Sequence, residues 1–224
     1  MSTEPVALPP LRALNLRDQA LAAVREAIVM GNMPPGTHLA ETRLAQDLGI
    51  SRGTLREAMR QLQQEGLAVT DGRGRLYVRS LDGRTIRDTF IVRAALESLA
   101  ARTVAGLPEP ERTEALSRLN DALAELRSAE SESLPASIEA DLTFHRTLCE
   151  VSGNVPLLQT WTHLENVLRM SIMNAGAERA RTNMSADRHT EVIELIAANS
   201  PDLEARMRSH ILAVLGDFDL QVAE

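Results

Sequence analysis

Residues 41–66 read ETRLAQDLGISRGTLREAMRQLQQEG and decide the fold of the N-terminal part of the chain. They predict two short helices joined by a tight turn, because Gly49 stands where a left-handed residue ends a helix and Ser51 can cap the next one. Apolar residues recur on one face of each helix: Leu44, Ala45 and Leu48 on the first, and Leu55, Met59 and Leu62 on the second. This division into buried and exposed faces is typical of a helix-turn-helix.

The second of these helices carries Arg52, Arg56 and Arg60 outside its apolar face. Arg52 and Arg56 stand one turn apart near its N-terminal end, where the second helix of a helix-turn-helix enters the major groove of DNA. Arginine can pair bidentately there with O6 and N7 of guanine. An ordinary solvated helix face explains the same pattern without DNA, so the flanking sequence has to distinguish the two interpretations.

The flanking segments complete a winged helix. Residues 16–30 predict an amphipathic helix, and residues 34–36, Pro-Pro-Gly, predict the turn that follows it. Runs 67–70 and 76–79 predict two short strands of a hairpin with Arg73 at its tip. Three helices followed by a hairpin favour DNA binding, with Arg73 reaching a minor groove or phosphates.

The run GNMPPGTHLAETRLAQDLGISRGTLREAMRQLQQEGL, residues 31–67, closely resembles the N-terminal domain of GntR-type bacterial transcription regulators. The resemblance implies binding to double-stranded operator DNA. The residues it implies as contacts are Arg52, Thr54 and Arg56 on the recognition helix, and Gly72 and Gly74 in the wing. Some members carry an arginine at the position of Thr42, so their operator preference does not transfer to this chain.

The formal net charge of −7 is unevenly distributed. Residues 1–80 contain 10 arginines and 8 acidic residues, a charge of +2, whereas the remainder contains 14 arginines and 23 acidic residues, a charge of −9. The acidity therefore belongs to the C-terminal part, and the N-terminal part keeps the sign that attraction to phosphates requires.

We expect a cytoplasmic protein with a proline-containing flexible arm at residues 1–10, which do not have the character of a signal peptide. No apolar run approaches the roughly 20 residues needed to span a bilayer, so we expect no membrane partner. The single cysteine, Cys149, excludes an internal disulfide framework.

Residues 81–224 contain no convincing strand pattern, and turn signals divide them into about six helical segments. We therefore expect a mainly α protein, with a winged helix-turn-helix domain at residues 11–80 and an all-α six-helix bundle at residues 84–218. The predicted helices cover residues 85–104, a segment after Pro110, and residues 136–151, 155–174, 186–198 and 202–218, with a polar loop at residues 175–185. The expected core positions of the first are Ile91, Ala94, Ala95 and Leu99.

Histidines carry the possible chemistry of the helical domain. Asp141 and His145 are four residues apart, so both project from one side of a helical turn and can ligate one metal ion. His189 and His210 lie on either side of Ser200, the centre of a helical hairpin, each about 15 Å from the turn and therefore level. Three imidazoles and a carboxylate suit Zn²⁺, Ni²⁺, Mn²⁺ or Fe²⁺. The spacing alone, however, favours a plain polar pair of Asp141 and His145 over a metal site.

Three further stretches resemble the C-terminal helical effector domain of FadR-type GntR regulators, known as the FCD domain. They are DLTFHRTLCEVSGN (141–154), ADRHTEVIELIAA (186–198) and ARMRSHI (205–211). The resemblance implies one divalent metal per chain, because in many members the matching positions bind a metal. Those positions are Asp141, His145, His189 and His210. Six rather than seven predicted helices favour the VanR-like branch.

Three other residues have competing interpretations. Arg93 in FIVRAALESLAA matches an R-x3-E pattern of the family, where this arginine can hold the carboxylate of a small effector, but an i, i+4 salt bridge to Glu97 explains the spacing equally well. Cys149 follows His145 by one turn and can serve as a soft ligand, although an isolated cytosolic cysteine is usually a small buried hydrophobe. His163 is interpreted as a tolerated helical histidine.

These observations predict a metabolite-responsive transcription regulator, a repressor that binds a palindromic operator as a homodimer. A small carboxylate metabolite bound at the metal site would release or retune it. Two alternatives are a helical metalloenzyme that hydrolyses its substrate with metal-activated water, and an architectural DNA-binding protein with a structural metal. The enzyme is disfavoured because the chain has no HExxH motif, nucleophile elbow or P-loop. Operator protection that changes with a metabolite would exclude the architectural protein.

Overall fold

The computed structural model describes residues 16–174 and 182–215. Its N-terminal part consists of three helices followed by a two-stranded antiparallel sheet, which confirms the predicted winged helix-turn-helix. The elements are α1 (Leu16–Val29), α2 (Glu41–Asp47), α3 (Arg52–Gln64), β1 (Ala68–Thr70) and β2 (Leu76–Val78). The expected arm at residues 1–10 lies outside the described residues.

The turn between α2 and α3 forms as the sequence predicts. Gly49 has a φ of 65°, a conformation that glycine adopts without steric cost because it has no Cβ. The Ser51 hydroxyl caps α3 by accepting a hydrogen bond from the backbone N–H of Thr54 at 3.1 Å. Leu55 and Leu62 are completely buried against the neighbouring helices. The arginines of α3 are consequently left on the outer face of the domain.

The hairpin of the wing is held by its own backbone contacts. β1 pairs with β2 so that Val69 lies opposite Tyr77. The Asp71 carboxylate accepts hydrogen bonds from the backbone N–H groups of Arg73 and Arg75, each at 2.9 Å. Gly74 closes the turn with a left-handed φ of 76°. These contacts define the shape of the wing tip that carries Arg73.

Six α-helices of the C-terminal part lie wholly within the described residues, which confirms the predicted all-α bundle. They are α4 (Gly83–Ala105), α5 (Glu111–Ala129), α6 (Leu134–Val151), α7 (Val155–Asn174), α8 (Ala186–Ala197) and α9 (Leu203–Leu212), followed by a 3₁₀ turn (Ala213–Leu215). The last α-helix is shorter than expected, because α geometry ends at Leu212 and residues 216–218 lie outside the described part. Of the expected loop at 175–185, Thr182 and Asn183 are helical, and residues 175–181 lie outside the described part. Among the described helices, none is both long and apolar enough to cross a membrane.

The buried face of α4 differs from the expectation. Leu99 is 51% exposed and Ala95 is also exposed, so these two core assignments are wrong. Arg93 and Glu97 point inward instead, with 4% and 0% of their side chains exposed. Leu99 lies two residues beyond Glu97, about 200° around the helix, and therefore faces away from the core. Helix α4 therefore buries the charged pair of Arg93 and Glu97, although its apolar periodicity predicts a buried Leu99.

Helix α7 contacts the cores of both parts of the chain. Trp161 and Leu168 are buried in the core of the helical bundle, whereas Met170 packs into the hydrophobic cluster of the winged helix. The side-chain amide of Asn166 donates a hydrogen bond to Glu65, the C-cap residue of α3, at 3.4 Å. A single helix therefore connects the centre of the bundle to the end of the recognition helix.

Candidate metal centre and DNA-binding surface

Helices α6, α8 and α9 bring three histidines together inside the bundle. The ligand nitrogens of His145, His189 and His210 all lie within 4.8 Å of one another, and the first two side chains are almost completely buried. The rings of His189 and His210 are 4.8 Å apart between centroids, so the hairpin of α8 and α9 places them level, as predicted. This group is able to hold a metal ion.

Asp141 lies beside the histidines. Its Oδ1 atom is 3.1 Å from Nε2 of His189 and 3.8 Å from Nε2 of His145. Burial alone would raise the pKa of Asp141, but the neighbouring histidines and Arg93 outweigh burial and lower the pKa to about 2. Asp141 is therefore ionised at neutral pH, the state in which a carboxylate binds a metal.

A backbone carbonyl orients His189. Its Nδ1 atom lies 2.8 Å from the carbonyl oxygen of Ser185, which can only accept, so the proton of the neutral ring is on Nδ1. The lone pair on Nε2 then faces Nε2 of His145 and Oδ1 of Asp141, each at 3.1 Å. A metal ion lying among these three atoms could accept the Nε2 lone pair of His189. Fixing the outer nitrogen through a carbonyl is also the usual support of a metal-binding histidine.

The surroundings of His145 and His210 keep these two imidazoles neutral and leave little free space. Burial lowers the pKa values of His145 and His210, and the neutral ring is the form that binds a metal. A cavity of about 20 Å³ adjoins the two histidines. A space of this size holds one ion or one water molecule, and it does not hold a metabolite.

Glu97 of α4 connects His145 to two other helices. Its Oε1 atom accepts hydrogen bonds from Nε of Arg93 at 2.7 Å and from the indole N–H of Trp161 at 2.6 Å. Its Oε2 atom lies 2.6 Å from Nδ1 of His145, although the two atoms are not aligned as a hydrogen bond. Burial would raise the pKa of Glu97, but Arg93 and His145 outweigh burial and lower it to about 2. A carboxylate in this position orients a metal-binding ring.

Arg93 forms the ion pair with Glu97 that the helical spacing predicted, and both side chains are buried. One of its nitrogens, Nη2, nevertheless has no hydrogen-bond partner in the described residues. Nη2 lies 3.9 Å from Oδ2 of Asp141, and Arg93 lines the small cavity. A buried donor without a partner costs free energy, so the cavity is chemically matched to an anionic oxygen.

Two other candidates do not join the site. Cys149 is free and buried, and burial raises the pKa of its thiol. It does not belong to the metal-ligating group found among the described residues. His163 is exposed on α7, with Nδ1 2.6 Å from the carbonyl oxygen of Gln159. The interpretations as a buried hydrophobe and a tolerated helical histidine therefore fit the structure better.

The recognition helix presents its arginines to solvent. Arg52, the first residue of α3, is exposed and forms no ion pair within residues 16–174 and 182–215. Arg56, one turn later, is also exposed and pairs with Glu41 of α2 at 2.9 Å. The Thr54 hydroxyl lies 2.8 Å from the Ser51 hydroxyl and takes part in the helix cap.

The wing supplies a second exposed basic segment. Gly72, Arg73 and Gly74 are all exposed at its tip. The guanidinium of Arg75 pairs with Asp71 at 2.8 Å and lies over the ring of Tyr77 at 5.7 Å. The structure thus places the predicted DNA-binding residues on the surface of α3 and of the wing.

Sequence reasoning missed three contacts of these sites. The sequence predicts Glu97 only as a partner of Arg93. It does not predict the contacts of Glu97 with His145 and Trp161, or the contact of Glu41 with Arg56. Trp161 is 64 residues from Glu97 along the chain, and Glu41 is 15 residues from Arg56, so neither contact leaves a helical spacing that could have revealed it.

Comparison with known sequences identifies both parts of the chain. Residues 16–78 match the family described as bacterial regulatory proteins, gntR family. Residues 88–213 match the FCD domain. This pairing fits the FadR-like subfamily and confirms the resemblance.

Individual relatives agree with these matches. An HTH-type transcriptional regulator from Agrobacterium vitis is 35% identical over 130 residues, which cover 58% of this chain and 76% of the relative. A relative from Paenarthrobacter nicotinovorans, described as "Probable D-xylose utilization operon transcriptional repressor", is 28% identical over 204 residues, 89% of this chain and 88% of its own length. A solved structure of a GntR transcriptional regulator from Rhodococcus sp. RHA1 has a TM-score of 0.74 at 24% identity, covers 90% of this chain and 98% of that one, and shows the shared fold. The chain is a transcription regulator that belongs to the GntR family of bacterial regulatory proteins, with an FCD domain as its C-terminal part.

Proposed function

We propose that this regulator is a cytoplasmic, metabolite-responsive repressor that binds a palindromic operator as a homodimer. The observation that carries the proposal is the buried group of His145, His189 and His210 in the same chain as an exposed recognition helix. The description of the Paenarthrobacter relative as a repressor of a utilization operon supports repression. A homodimer and a palindrome go together because one recognition helix reads only a few base pairs.

The proposed ligands of one divalent metal per chain are Asp141, His145, His189 and His210. Nitrogen and oxygen donors of this kind suit Zn²⁺, Ni²⁺, Mn²⁺ or Fe²⁺. The close approach of Nε2 of His189 to Nε2 of His145 and to Oδ1 of Asp141, each 3.1 Å, places three atoms of the metal-binding type together and supports this ligand set. When bound, the ion supplies positive charge to a domain whose own charge is negative and so favours an anionic ligand.

The proposed effector is a small carboxylate that binds beside the metal ligands. Support comes from Arg93, whose buried Nη2 lacks a hydrogen-bond partner in the described residues. The cavity of about 20 Å³ is too small for a metabolite, so binding must displace part of its wall, which includes Ile172, Met184 and Ile211. A ligand that requires a different arrangement of the bundle can shift the protein between two conformations.

Helix α7 is the proposed connection between the effector and the DNA. Trp161 donates its indole hydrogen bond to Glu97 beside His145, and Asn166 and Met170 further along α7 contact the winged helix. A displacement of α7 at Trp161 would therefore alter its contacts near the end of α3. An effector that weakens operator affinity about 30-fold supplies roughly 2 kcal/mol of coupling, and the operator must weaken effector binding by the same factor.

The two alternative interpretations lack a supporting contact. A metal-assisted hydrolase needs a free general base beside the metal, whereas Glu97 is held by Arg93 and Trp161. A purely structural metal in an architectural protein does not explain why the buried guanidinium of Arg93 lines a cavity next to the metal ligands. The arrangement around Arg93 favours a response to a ligand.

The test measures binding of full-length protein to a DNA duplex enriched from random sequences by the same protein. A thermal-shift screen first selects small carboxylates that stabilise the metal-loaded protein. We expect such a compound to weaken binding to the duplex, and to do so only when metal is present. A compound that binds chelator-treated protein equally well, or that binds equally well with and without DNA, contradicts the proposal.

A further inference from the structure

The two arginines nearest the N-terminal end of the recognition helix differ in their ion-pair partners. Arg56 forms an ion pair with Glu41 of α2 through two of its nitrogens, with Nε 3.3 Å from both carboxylate oxygens and Nη2 2.9 Å from Oε2. Arg52, one turn earlier on α3, has no acidic partner among residues 16–174 and 182–215. The Arg56 guanidinium therefore has a preferred orientation before DNA arrives, whereas no acidic side chain among these residues orients Arg52.

The edge of Arg56 that Glu41 occupies determines what remains for DNA. A guanidinium presents five N–H groups in a rigid planar fork. Glu41 takes the edge formed by Nε and Nη2, and the hydrogens at the end of the fork, on Nη1 and Nη2, stay available. Two parallel hydrogens at that end match the O6 and N7 acceptors of guanine in the major groove.

Glu41 and Arg56 stand on two helices that pack against each other, which restricts the geometry of their ion pair. Glu41 is the first residue of α2, where the helix dipole favours a carboxylate. Helices α2 and α3 are packed together through Ala45 and Leu55 in one hydrophobic cluster. The carboxylate is thus presented from a rigid element rather than from a loop, and it restricts the rotamers of Arg56 before binding.

We propose that Glu41 is a positioning residue that orients Arg56 to read one guanine in each half of the operator. The proposal rests on the DNA-reading role given above to Arg56. Because the pair is nearly neutral, Arg56 contributes discrimination between bases, whereas the unpaired Arg52 contributes attraction to the DNA backbone or adaptable contacts.

A positioning role and a simple charge effect of Glu41 predict different changes in DNA binding. Removing a negative charge from a DNA-binding surface strengthens binding to every sequence, because repulsion of the phosphates falls. Removing a positioning carboxylate instead lowers the ratio of affinities for the operator and for scrambled DNA. The ratio therefore distinguishes the two roles of Glu41.

The experiment measures both affinities at one fixed salt concentration by fluorescence anisotropy. The probes are a duplex enriched from random-sequence DNA by the unmodified full-length protein and a scrambled version of it. Glu41→Gln and Glu41→Ala are compared with Glu57→Gln, which removes the same charge from the Arg60–Glu57 pair on the same surface. Thermal unfolding verifies that each variant is folded.

We expect Glu41→Gln to lower the affinity ratio roughly 3-fold to 10-fold and Arg56→Ala to lower it roughly 10-fold or more, with Glu57→Gln leaving it unchanged. Adding Glu41→Gln to Arg56→Ala should lower the ratio no further. An unchanged ratio in both Glu41 variants, an equal loss in Glu57→Gln, or additive losses in the double variant would overturn the positioning role alone. An unchanged ratio in Arg56→Ala would instead overturn the proposed reading of bases by Arg56.

Discussion

Glu97→Gln should destabilise the protein strongly, although it replaces only one oxygen by an amide nitrogen. The Glu97 side chain is 0% exposed and balances the charge of Arg93, which is 4% exposed. Removing one partner of a buried pair leaves an uncompensated charge and costs about 3 to 5 kcal/mol. The pKa of Glu97 is lowered from 4.5 to about 2, which corresponds to roughly 3 to 4 kcal/mol at about 1.4 kcal/mol for each pH unit. Since Asp141 still faces Arg93 at 3.9 Å, we expect a loss near the lower value, about 3 kcal/mol.

Urea unfolding at pH 7 measures this loss through linear extrapolation to water. The protein is treated with a chelator first, because bound metal would add stability of its own. Asp88→Asn is the matched control, since Asp88 pairs with Arg84 at the same i, i+4 spacing on α4, at 3.7 Å, with both side chains exposed. Such a pair contributes about 0 to 1 kcal/mol. A loss below about 1 kcal/mol in Glu97→Gln, or equal losses in the two variants, would refute the argument that burial makes the pair important.

His189→Ala should abolish metal binding and the rise in melting temperature that metal produces, whereas replacing the exposed His163 by alanine should preserve both. Elemental analysis of untagged protein measures metal occupancy. Full occupancy in His189→Ala would contradict the ligand assignment. Glu97 and Asp141 have pKa values lowered to about 2 in the folded chain from 4.5 and 3.8, so their stabilisation is complete above about pH 5 and is lost as the pH falls toward 2. The urea concentration at the unfolding midpoint of chelator-treated protein should therefore decrease as the pH is lowered from about 5 to about 3. The decrease should be smaller in a variant carrying Glu97→Gln and Asp141→Asn. Trp161→Phe should retain metal but reduce the change in operator affinity that the effector causes, and an unchanged effect in anisotropy titrations would show that α7 transmits nothing through this hydrogen bond.

The helix-turn-helix follows from the sequence because its determinants are local. Gly49, Ser51 and the apolar residues of α3 lie within one short stretch, and each acts through backbone sterics or through a helix period. The all-α character of the second part is local in the same sense, since strand patterns are missing and turn residues separate periodic runs. The i, i+4 relation of Arg93 and Glu97 was also readable, because both residues stand on one helix.

Tertiary structure alone decided which face of α4 is buried. Apolar periodicity favoured Leu99, but the bundle buries Arg93 and Glu97, because Trp161 of another helix donates a hydrogen bond to the carboxylate and His145 lies beside it. A buried ion pair overrides the apolar pattern only when such partners exist, and those partners depend on packing.

The close approach of the site residues was likewise decided by packing. Helical rise predicts that His189 and His210 are level, but the meeting of His145 with His189, 44 residues away, depends on how α6 crosses the α8–α9 hairpin. The contact of Glu41 with Arg56 depends in the same way on the angle between α2 and α3. The sequence alone determined which groups could ligate a metal or read a base; the crossing of helices determined which of them meet, because ligation and hydrogen bonding require separations of a few ångströms that spacing along the chain does not specify.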